Sequence, residues 1–175
     1  MNKMKSVLPV YEGQELRDVQ CRGHTVPGYK ITEDGIVISY KQSKDTGKVM
    51  TWTQRSMTAD YPCITIIVPE EHHDEKTIDK ASSNFTSAPK GSIRRKEYIH
   101  VLVAETWLDF ESECPEHLEP WWPTLPVELK QELRQYFHID HIDANRWNPH
   151  MSNLKFVSAR ANNVNTKKTV AKNSS

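Results

Sequence analysis

A short polar segment near the C-terminus holds the residues best suited to chemistry. Asp140 stands next to His141, and Asn153 and Asn162 follow Asp140 at steps of thirteen and then nine residues. Histidine, with an unperturbed pKa of about 6.5, can accept a proton near neutral pH. Carboxylate and carboxamide oxygens are hard ligands that suit Mg²⁺ or Mn²⁺. This combination suits phosphodiester hydrolysis, in which a base activates water and a divalent ion offsets negative charge.

Four elements must bring these residues to one point. The sequence predicts a strand ending at His141, a loop through Asn153, a second strand over 154–157 and a helix beginning after Ser158. Ser158 is a suitable N-cap because its hydroxyl can accept from the free N–H groups of the first helical turn. Asn162 then lies about one turn into the helix, from where it can face the end of the first strand.

The front of the chain is predicted to form a small antiparallel β module. Polar and apolar residues alternate over 28–32 and 36–40, on either side of Glu33-Asp34-Gly35. An Asp-Gly pair between β-branched runs is a strong hairpin signal. Further strands are predicted over 48–53, 61–68 and 93–99. Apolar residues at helical spacing predict a helix over 100–108, and Pro126 suits the start of another over 127–136. The fold class is therefore α+β.

The composition sets outer limits. The chain has 175 residues, of which 37% are hydrophobic, so it suits one modest core with appendages. Its apolar runs are far shorter than the roughly 20 residues of a spanning helix, and no signal-peptide core is evident, so we expect a cytoplasmic protein. Cys21, Cys63 and Cys114 are widely spaced and odd in number, which argues against a disulfide framework or a zinc ribbon.

The charge is balanced overall but uneven along the chain. The 23 Lys/Arg and 23 Asp/Glu cancel, which at first argues against a nucleic-acid partner. Residues 138–175, however, contain six Lys/Arg against two Asp/Glu, whereas residues 101–137 contain two against eight. The candidate site thus lies in the most basic segment, which suits double-stranded DNA.

These features resemble the HNH endonuclease family, in particular phage-borne HNH homing endonucleases with a ββα-metal core. The resemblance covers roughly residues 26–166, apart from 69–92 and 109–137. The matching segments are 26–39, 100–105, 139–145, Asn148, 153–158 and 162–163. Three residues depart from the family pattern: Ala144 stands where glycine is frequent, Val101 replaces a common arginine, and Asn162 stands at the third motif position in place of histidine, a substitution common among the phage enzymes.

The resemblance implies a role for each residue of the site. Asp140 and Asn162 would hold one Mg²⁺ or Mn²⁺, with Asn163 as the alternative ligand if the helix register differs by one. His141 would be the general base, and Asn153 would hold the loop and orient the histidine. The implied activity is site-specific DNA cleavage in homing, in the host cytoplasm if a phage encodes the chain. A monomer would nick, and a double-strand break would need a dimer or two visits.

The segments of the chain then take separate roles. We expect an N-terminal β-rich DNA-binding module over 1–68, a flexible loop over 69–92, and an HNH nuclease domain over 93–168. The nuclease domain contains an acidic insertion over 109–137, and residues 169–175 would form a disordered tail. The loop is predicted because a charge run and turn-forming residues leave little apolar periodicity there.

Basic residues around the core are candidates for contact with DNA phosphates. They are Arg94, Arg95, Lys96, Arg146, Lys155, Arg160, Lys167 and Lys168. Trp121 and Trp122 could stack on bases, although the flanking prolines favour a role in anchoring their loop to the core.

Two other interpretations stay open. The imidazoles of His138, His141 and His150, together with Asp140, could bind structural zinc. The chain could also be a sequence-specific DNA-binding protein that retains the HNH fold without cutting.

Overall fold

The computed structural model describes residues 13–42, 45–56, 59–72, 88–113, 115 and 118–159. Several predicted site residues lie outside these ranges. They are Arg160, Asn162, Asn163, Lys167 and Lys168.

A four-stranded antiparallel sheet forms the N-terminal module. Its strands are β1 (Arg17–Cys21), β2 (His24–Ile31), β3 (Val37–Ser39) and β4 (Lys48–Val49), and they follow one another in the sheet in chain order. The predicted Asp-Gly hairpin is confirmed as the β2–β3 connection. In its turn the Gly35 N–H donates to the Thr32 carbonyl at 3.1 Å, and the Ile36 N–H donates to the Thr32 hydroxyl at 2.9 Å.

A second, three-stranded antiparallel sheet contains β5 (Thr53–Ser56), β6 (Ala59–Pro69) and β7 (Ser92–Tyr98), in that order. The strand predicted over 48–53 is therefore wrong beyond its first two residues, since β5 begins at Thr53 in another sheet. Strands β6 and β7 pair from Cys63 opposite Tyr98 to Pro69 opposite Ser92. Residues on both sides of the predicted 69–92 loop thus share a sheet, and the functional division at this loop stays a prediction.

A two-stranded antiparallel sheet carries the predicted site. Strand β8 (Phe137–His141) ends at His141, as predicted, and pairs with β9 (Leu154–Ser158). Asp140 lies opposite Lys155, and His141 lies opposite Leu154. Ala159 has a helical backbone conformation, and the rest of the predicted helix lies outside the described residues.

Two α-helices complete the described part of the chain, together with short 3₁₀ turns. Helix α1 (Ile99–Trp107) and helix α2 (Val127–Arg134) match the predicted positions, and with the strands they confirm the α+β class. Helix α1 is buried through Leu102, Val103 and Ala104. Neither helix is long and apolar enough to cross a membrane.

One apolar core is shared by the N-terminal sheet, strand β6, helix α1 and strand β9. It contains Val19, Ile31, Ile66 and Leu102, all fully buried, and Leu154 beside them. Cys21 and Cys63 are both buried, and Cys114 lies outside the described residues.

A second, aromatic cluster lies under the acidic insertion. Phe110, Trp122 and Phe156 form it, and Leu118, Leu133 and Phe137 pack against it. Trp122 is 3% exposed, whereas Trp121 is 60% exposed. The anchoring role is therefore confirmed for Trp122 alone.

The β2–β3 turn packs against the loop that carries the site. The Met151 N–H donates to the Glu33 carbonyl at 2.8 Å. Gly35 has a φ of +89°, and a Cβ atom at this position would lie 2.6 Å from the Ile99 side chain and 2.9 Å from that of Pro149. Only glycine fits both the turn and this close approach, so the turn fixes the loop against helix α1.

Candidate active site

His141 is held at the end of strand β8 with its side chain turned inward. The residue is 5% exposed, and its Nε2 atom is buried without a hydrogen-bond partner among the described residues. Its backbone N–H donates to Asp140 Oδ1 at 2.9 Å. Burying an imidazole nitrogen without a hydrogen-bond partner is costly, so among the described residues this position calls for an explanation besides packing.

An aromatic pocket surrounds the His141 ring. The His100 ring lies 4.9 Å away and the Tyr61 ring 5.9 Å away, measured between centroids. The Arg146 guanidinium lies 4.9 Å from the centroid of Tyr61, at a distance typical of a cation–π contact. Tyr61 belongs to strand β6 and His100 to helix α1, whereas Arg146 belongs to the loop after His141, so the pocket exists only in the folded protein.

The pocket keeps both histidines neutral at neutral pH. Burial lowers the pKa of His141; the nearby Asp140 and Asp143 carboxylates act against this shift, and Arg146 adds to it. Burial, with a contribution from His141, lowers the pKa of His100 to about 3. His141 is thus the better proton acceptor of the two, because it lies beside carboxylates that favour its protonated form.

Asn153 closes the loop between strands β8 and β9. Its side-chain Oδ1 accepts from the Asp143 N–H at 3.0 Å, and its Nδ2 donates to Asp143 Oδ1 and to the Asn148 carbonyl, both at 2.9 Å. Its carbonyl accepts from the Ile142 N–H at 2.8 Å. Since Ile142 follows His141 directly, these bonds fix the backbone beside the histidine.

Asp143 organises the interior of the same loop. Its carboxylate accepts from the Asn145 N–H at 2.7 Å and from Asn148 Nδ2 at 2.9 Å. Hydrogen bonds from Asn148, the Asn145 N–H and Asn153 hold the pKa of Asp143 below its usual range. Asp143, Asn145 and Asn148 therefore build the loop through their hydrogen bonds. Ala144 has a left-handed φ of +59°.

The metal prediction can be compared with the structure at Asp140 alone, because Asn162 and Asn163 lie outside the described residues. Asp140 offers a hard carboxylate oxygen beside His141, which fits Mg²⁺ or Mn²⁺. Within the described ranges, no group of three or more His, Cys, Asp and Glu residues could hold a metal ion. A Mg²⁺ site that uses one or two protein oxygens does not require such a group.

The zinc alternative is not supported. All four of its proposed ligands are described, and they do not form a group that could hold a metal ion. His138 and His141 lie three residues apart on one strand, so their side chains project to opposite faces. His150 Nδ1 instead accepts from the Ser152 N–H at 3.2 Å, and its Nε2 lies 3.8 Å from Glu33 Oε1.

The basic residues of strand β7 divide between its faces. Arg94 and Lys96 are exposed, whereas Arg95 is largely buried, with its Nε 2.5 Å from Glu97 Oε1. Arg94 and Lys96 therefore suit DNA contact better than Arg95. Arg146 is exposed, and Lys155 is half-buried opposite Asp140.

Local patterns in the sequence hardly indicate Tyr61 and His100 as parts of this site. Both contact His141 through tertiary packing, which spacing along the chain does not reveal. A weak signal existed for His100, because it is a polar residue among the buried apolar residues of helix α1.

Comparisons with known proteins give one structural similarity. No family model matches the chain, and no curated protein matches it. A solved structure concerning DNA binding and cleavage by the HNH homing endonuclease I-HmuI is similar, with a TM-score of 0.48 and 18% sequence identity. The match covers 89% of this chain and 59% of that chain, so this chain spans less than two thirds of its length.

Proposed function

We propose that the chain is a site-specific, HNH-type DNA endonuclease that hydrolyses phosphodiester bonds. The observation that carries this proposal is His141, a buried neutral imidazole whose Nε2 has no hydrogen-bond partner among the described residues, beside Asp140 and next to a loop closed by Asn153. A base, a carboxylate and a rigid loop at one strand end suit metal-assisted hydrolysis better than a purely structural role.

His141 would accept the proton of the attacking water. Its lowered pKa keeps it unprotonated at neutral pH, and the carboxylates of Asp140 and Asp143 would stabilise the imidazolium that forms. The Nε2 atom is covered, so DNA binding has to open it to water; catalytic geometry often completes itself only in the complex. Asn153 would act as a positioning residue through the loop backbone.

Asp140 and Asn162 would hold one Mg²⁺ or Mn²⁺, with Asn163 as the alternative to Asn162. When bound, the ion would act as a Lewis acid that offsets charge on the phosphate and on the leaving oxygen. The requirement can be tested by adding EDTA and then each metal in turn. Asp140→Ala is expected to abolish cutting while largely sparing DNA binding. Comparing Asn162→Ala with Asn163→Ala decides between the two amides.

Double-stranded DNA would bind along the basic surface near the site. Arg94 and Lys96 are exposed on strand β7, and Lys155 and Arg146 lie close to Asp140 and His141 along the chain and across the strands. Contacts with phosphates would set the register of the duplex. Arg160, Lys167 and Lys168 would extend this surface. A monomer holds one such site and would nick one strand per binding event.

The decisive experiment uses supercoiled plasmids that carry fragments of the genome encoding the chain. With Mg²⁺, the wild-type protein should relax those containing the target, and His141→Ala should slow this by about 100-fold or more, the usual contribution of a general base. His138→Ala is the matched control because His138 is exposed on the same strand.

Two outcomes would overturn parts of the proposal. If the wild type retards DNA but never relaxes it with either metal, the chain is a DNA-binding protein without nuclease activity. If folded His141→Ala cuts as fast as wild type, the base is a different residue. Mapping the cut ends on the genome would then test the homing role.

A further inference from the structure

Three large apolar side chains remain exposed on or beside the site loop. Ile142 and Trp147 belong to the loop itself, and Trp52 lies in the connection between strands β4 and β5. The indoles of Trp52 and Trp147 are 40% and 49% exposed, and their ring centroids lie 6.4 Å apart with an interplanar angle of 26°. This stacked pair, the Trp52–Trp147 pair, joins the loop to a strand connection far away in the chain.

The loop fixes the Trp147 end of this pair next to the reaction centre. The Trp147 N–H donates to Asn145 Oδ1 at 3.1 Å, in the turn that Asp143 organises. Arg146, its neighbour, lies over Tyr61, whose ring is 5.9 Å from that of His141. The pair therefore stands at the rim of the proposed active site, on a backbone held by several hydrogen bonds.

The chemistry around the Trp52–Trp147 pair indicates which kind of ligand would bind there. Exposed indoles suit a flat, apolar partner, and a nucleobase, a protein side chain or a lipid surface could supply one. Arg146, directly before Trp147, and Lys48, four residues before Trp52, are both exposed, so a polyanion is favoured there. In DNA a nucleobase combines a flat apolar face with an attached phosphate, and it therefore matches both the rings and the charge.

We propose that the Trp52–Trp147 pair is a stacking platform for a nucleobase that leaves the helical stack beside the cut site. The proposal rests on the DNA endonuclease function above. Aromatic side chains bind bases in this way without strong sequence preference. An unstacked base next to His141 would bend the backbone and bring the phosphate into reach, and Ile142 could support it as an apolar wedge.

The test uses two short DNA duplexes of the same sequence, one of which contains a single unpaired adenine at its centre. Binding is measured by fluorescence anisotropy in EDTA, so that cutting cannot occur. The wild type should bind the bulged duplex about 10-fold more tightly or better, and its tryptophan fluorescence should be quenched. Trp52→Leu and Trp147→Leu keep apolar volume but lose the aromatic face, and each should remove most of this preference.

Trp121→Leu is the matched control, because Trp121 is an exposed indole in the acidic insertion. It should leave the preference unchanged, and Trp147→Phe should retain most of it. The proposal is overturned if the wild type binds both duplexes equally, or if the two leucine variants keep the full preference while remaining folded by circular dichroism. A wild type that prefers the bulge but never cuts plasmid would overturn the nuclease function alone; cutting without the preference would overturn the platform alone.

Discussion

Two regions of this molecule that present exposed aromatic residues differ in charge. The site loop, residues 142–153, presents Trp147 next to the exposed Arg146 and holds one Lys/Arg and one Asp/Glu, whereas the acidic insertion, residues 109–137, presents Trp121 and Tyr136 and holds two Lys/Arg against seven Asp/Glu. Charge repulsion would keep a DNA duplex away from the second region, whereas the first carries no excess of negative charge. Exposure alone therefore does not identify a DNA-binding surface, and the local charge has to accompany it.

The two regions are also held in place by different forces. Side-chain hydrogen bonds of Asp143 and Asn153 hold the site loop. Packing around Phe110 holds the insertion, with ring centroids 5.2 Å from Trp122 and 4.9 Å from Phe156. Directional hydrogen bonds fix the backbone of the site loop without using apolar side chains, so its tryptophan can stay exposed. The acidic insertion is held by apolar packing instead, and therefore one of its two tryptophans is buried.

The largest expected effect comes from breaking the insertion's packing. Trp122→Ala should lower the free energy of unfolding by about 3–5 kcal/mol, since it removes a buried indole that meets Phe110 edge-on. It also removes the hydrogen bond from the indole N–H to the Glu111 carbonyl. Urea denaturation measures the loss, and Trp121→Ala is the adjacent control, expected to change stability by no more than about 0.5 kcal/mol. Equal losses in both variants would contradict the assigned packing.

Removing hydrogen bonds from the site loop should instead reduce cutting activity more than it reduces the free energy of unfolding. Asn153→Ala removes three side-chain hydrogen bonds and should cost about 1–3 kcal/mol in unfolding free energy. Cutting should fall by about 100-fold, because a displacement of roughly 1 Å at a reacting group has that effect. Measuring plasmid relaxation at a temperature where the variant stays folded separates the loss of cutting activity from the loss of stability. Full activity would mean that Asn153 does not position His141.

Local sequence signals predicted much of this fold, including the two strands that carry the candidate site. The Asp34-Gly35 turn and the pairing that ends at His141 follow from patterns within a few residues, and both are confirmed. No such local pattern indicated strand β1. Its polar residues, such as Asp18 and Gln20, pair only with strand β2, so the strand becomes evident only in the folded sheet. Tyr61 and His100 likewise reach His141 only through tertiary packing.

A smaller effect, on the pH dependence of stability, is expected from His100, the buried histidine of helix α1. The pKa of His100 is about 3 in the folded protein against an ordinary value of 6.5, so the unfolded chain takes up the proton first. This contribution to stability is therefore present above pH 6.5 and decreases as the pH falls towards 3, by about 1.4 kcal/mol per pH unit.

Urea denaturation at pH 7 and pH 5 measures this dependence. The wild type should lose more stability between the two values than His100→Phe does, by up to about 2 kcal/mol, because phenylalanine keeps the ring contacts without titrating. His138→Phe, which changes an exposed histidine, should lose as much as the wild type. An identical loss in wild type and His100→Phe would show that His100 is not the responsible group.

The smallest effect is expected from substitutions of Ala144 within the site loop. Ala144 adopts a φ of +59°, a conformation that costs an L-residue about 1–2 kcal/mol and costs glycine almost nothing. Glycine loses more conformational entropy on folding, so Ala144→Gly should raise the unfolding free energy by only about 0.5–1 kcal/mol. Ala144→Val, with a β-branched side chain, should lower it. The glycine variant should retain cutting, because the hydrogen bonds of the loop hold the same geometry. A loss of stability in Ala144→Gly, measured by urea denaturation, would mean that the left-handed turn is not part of the native loop.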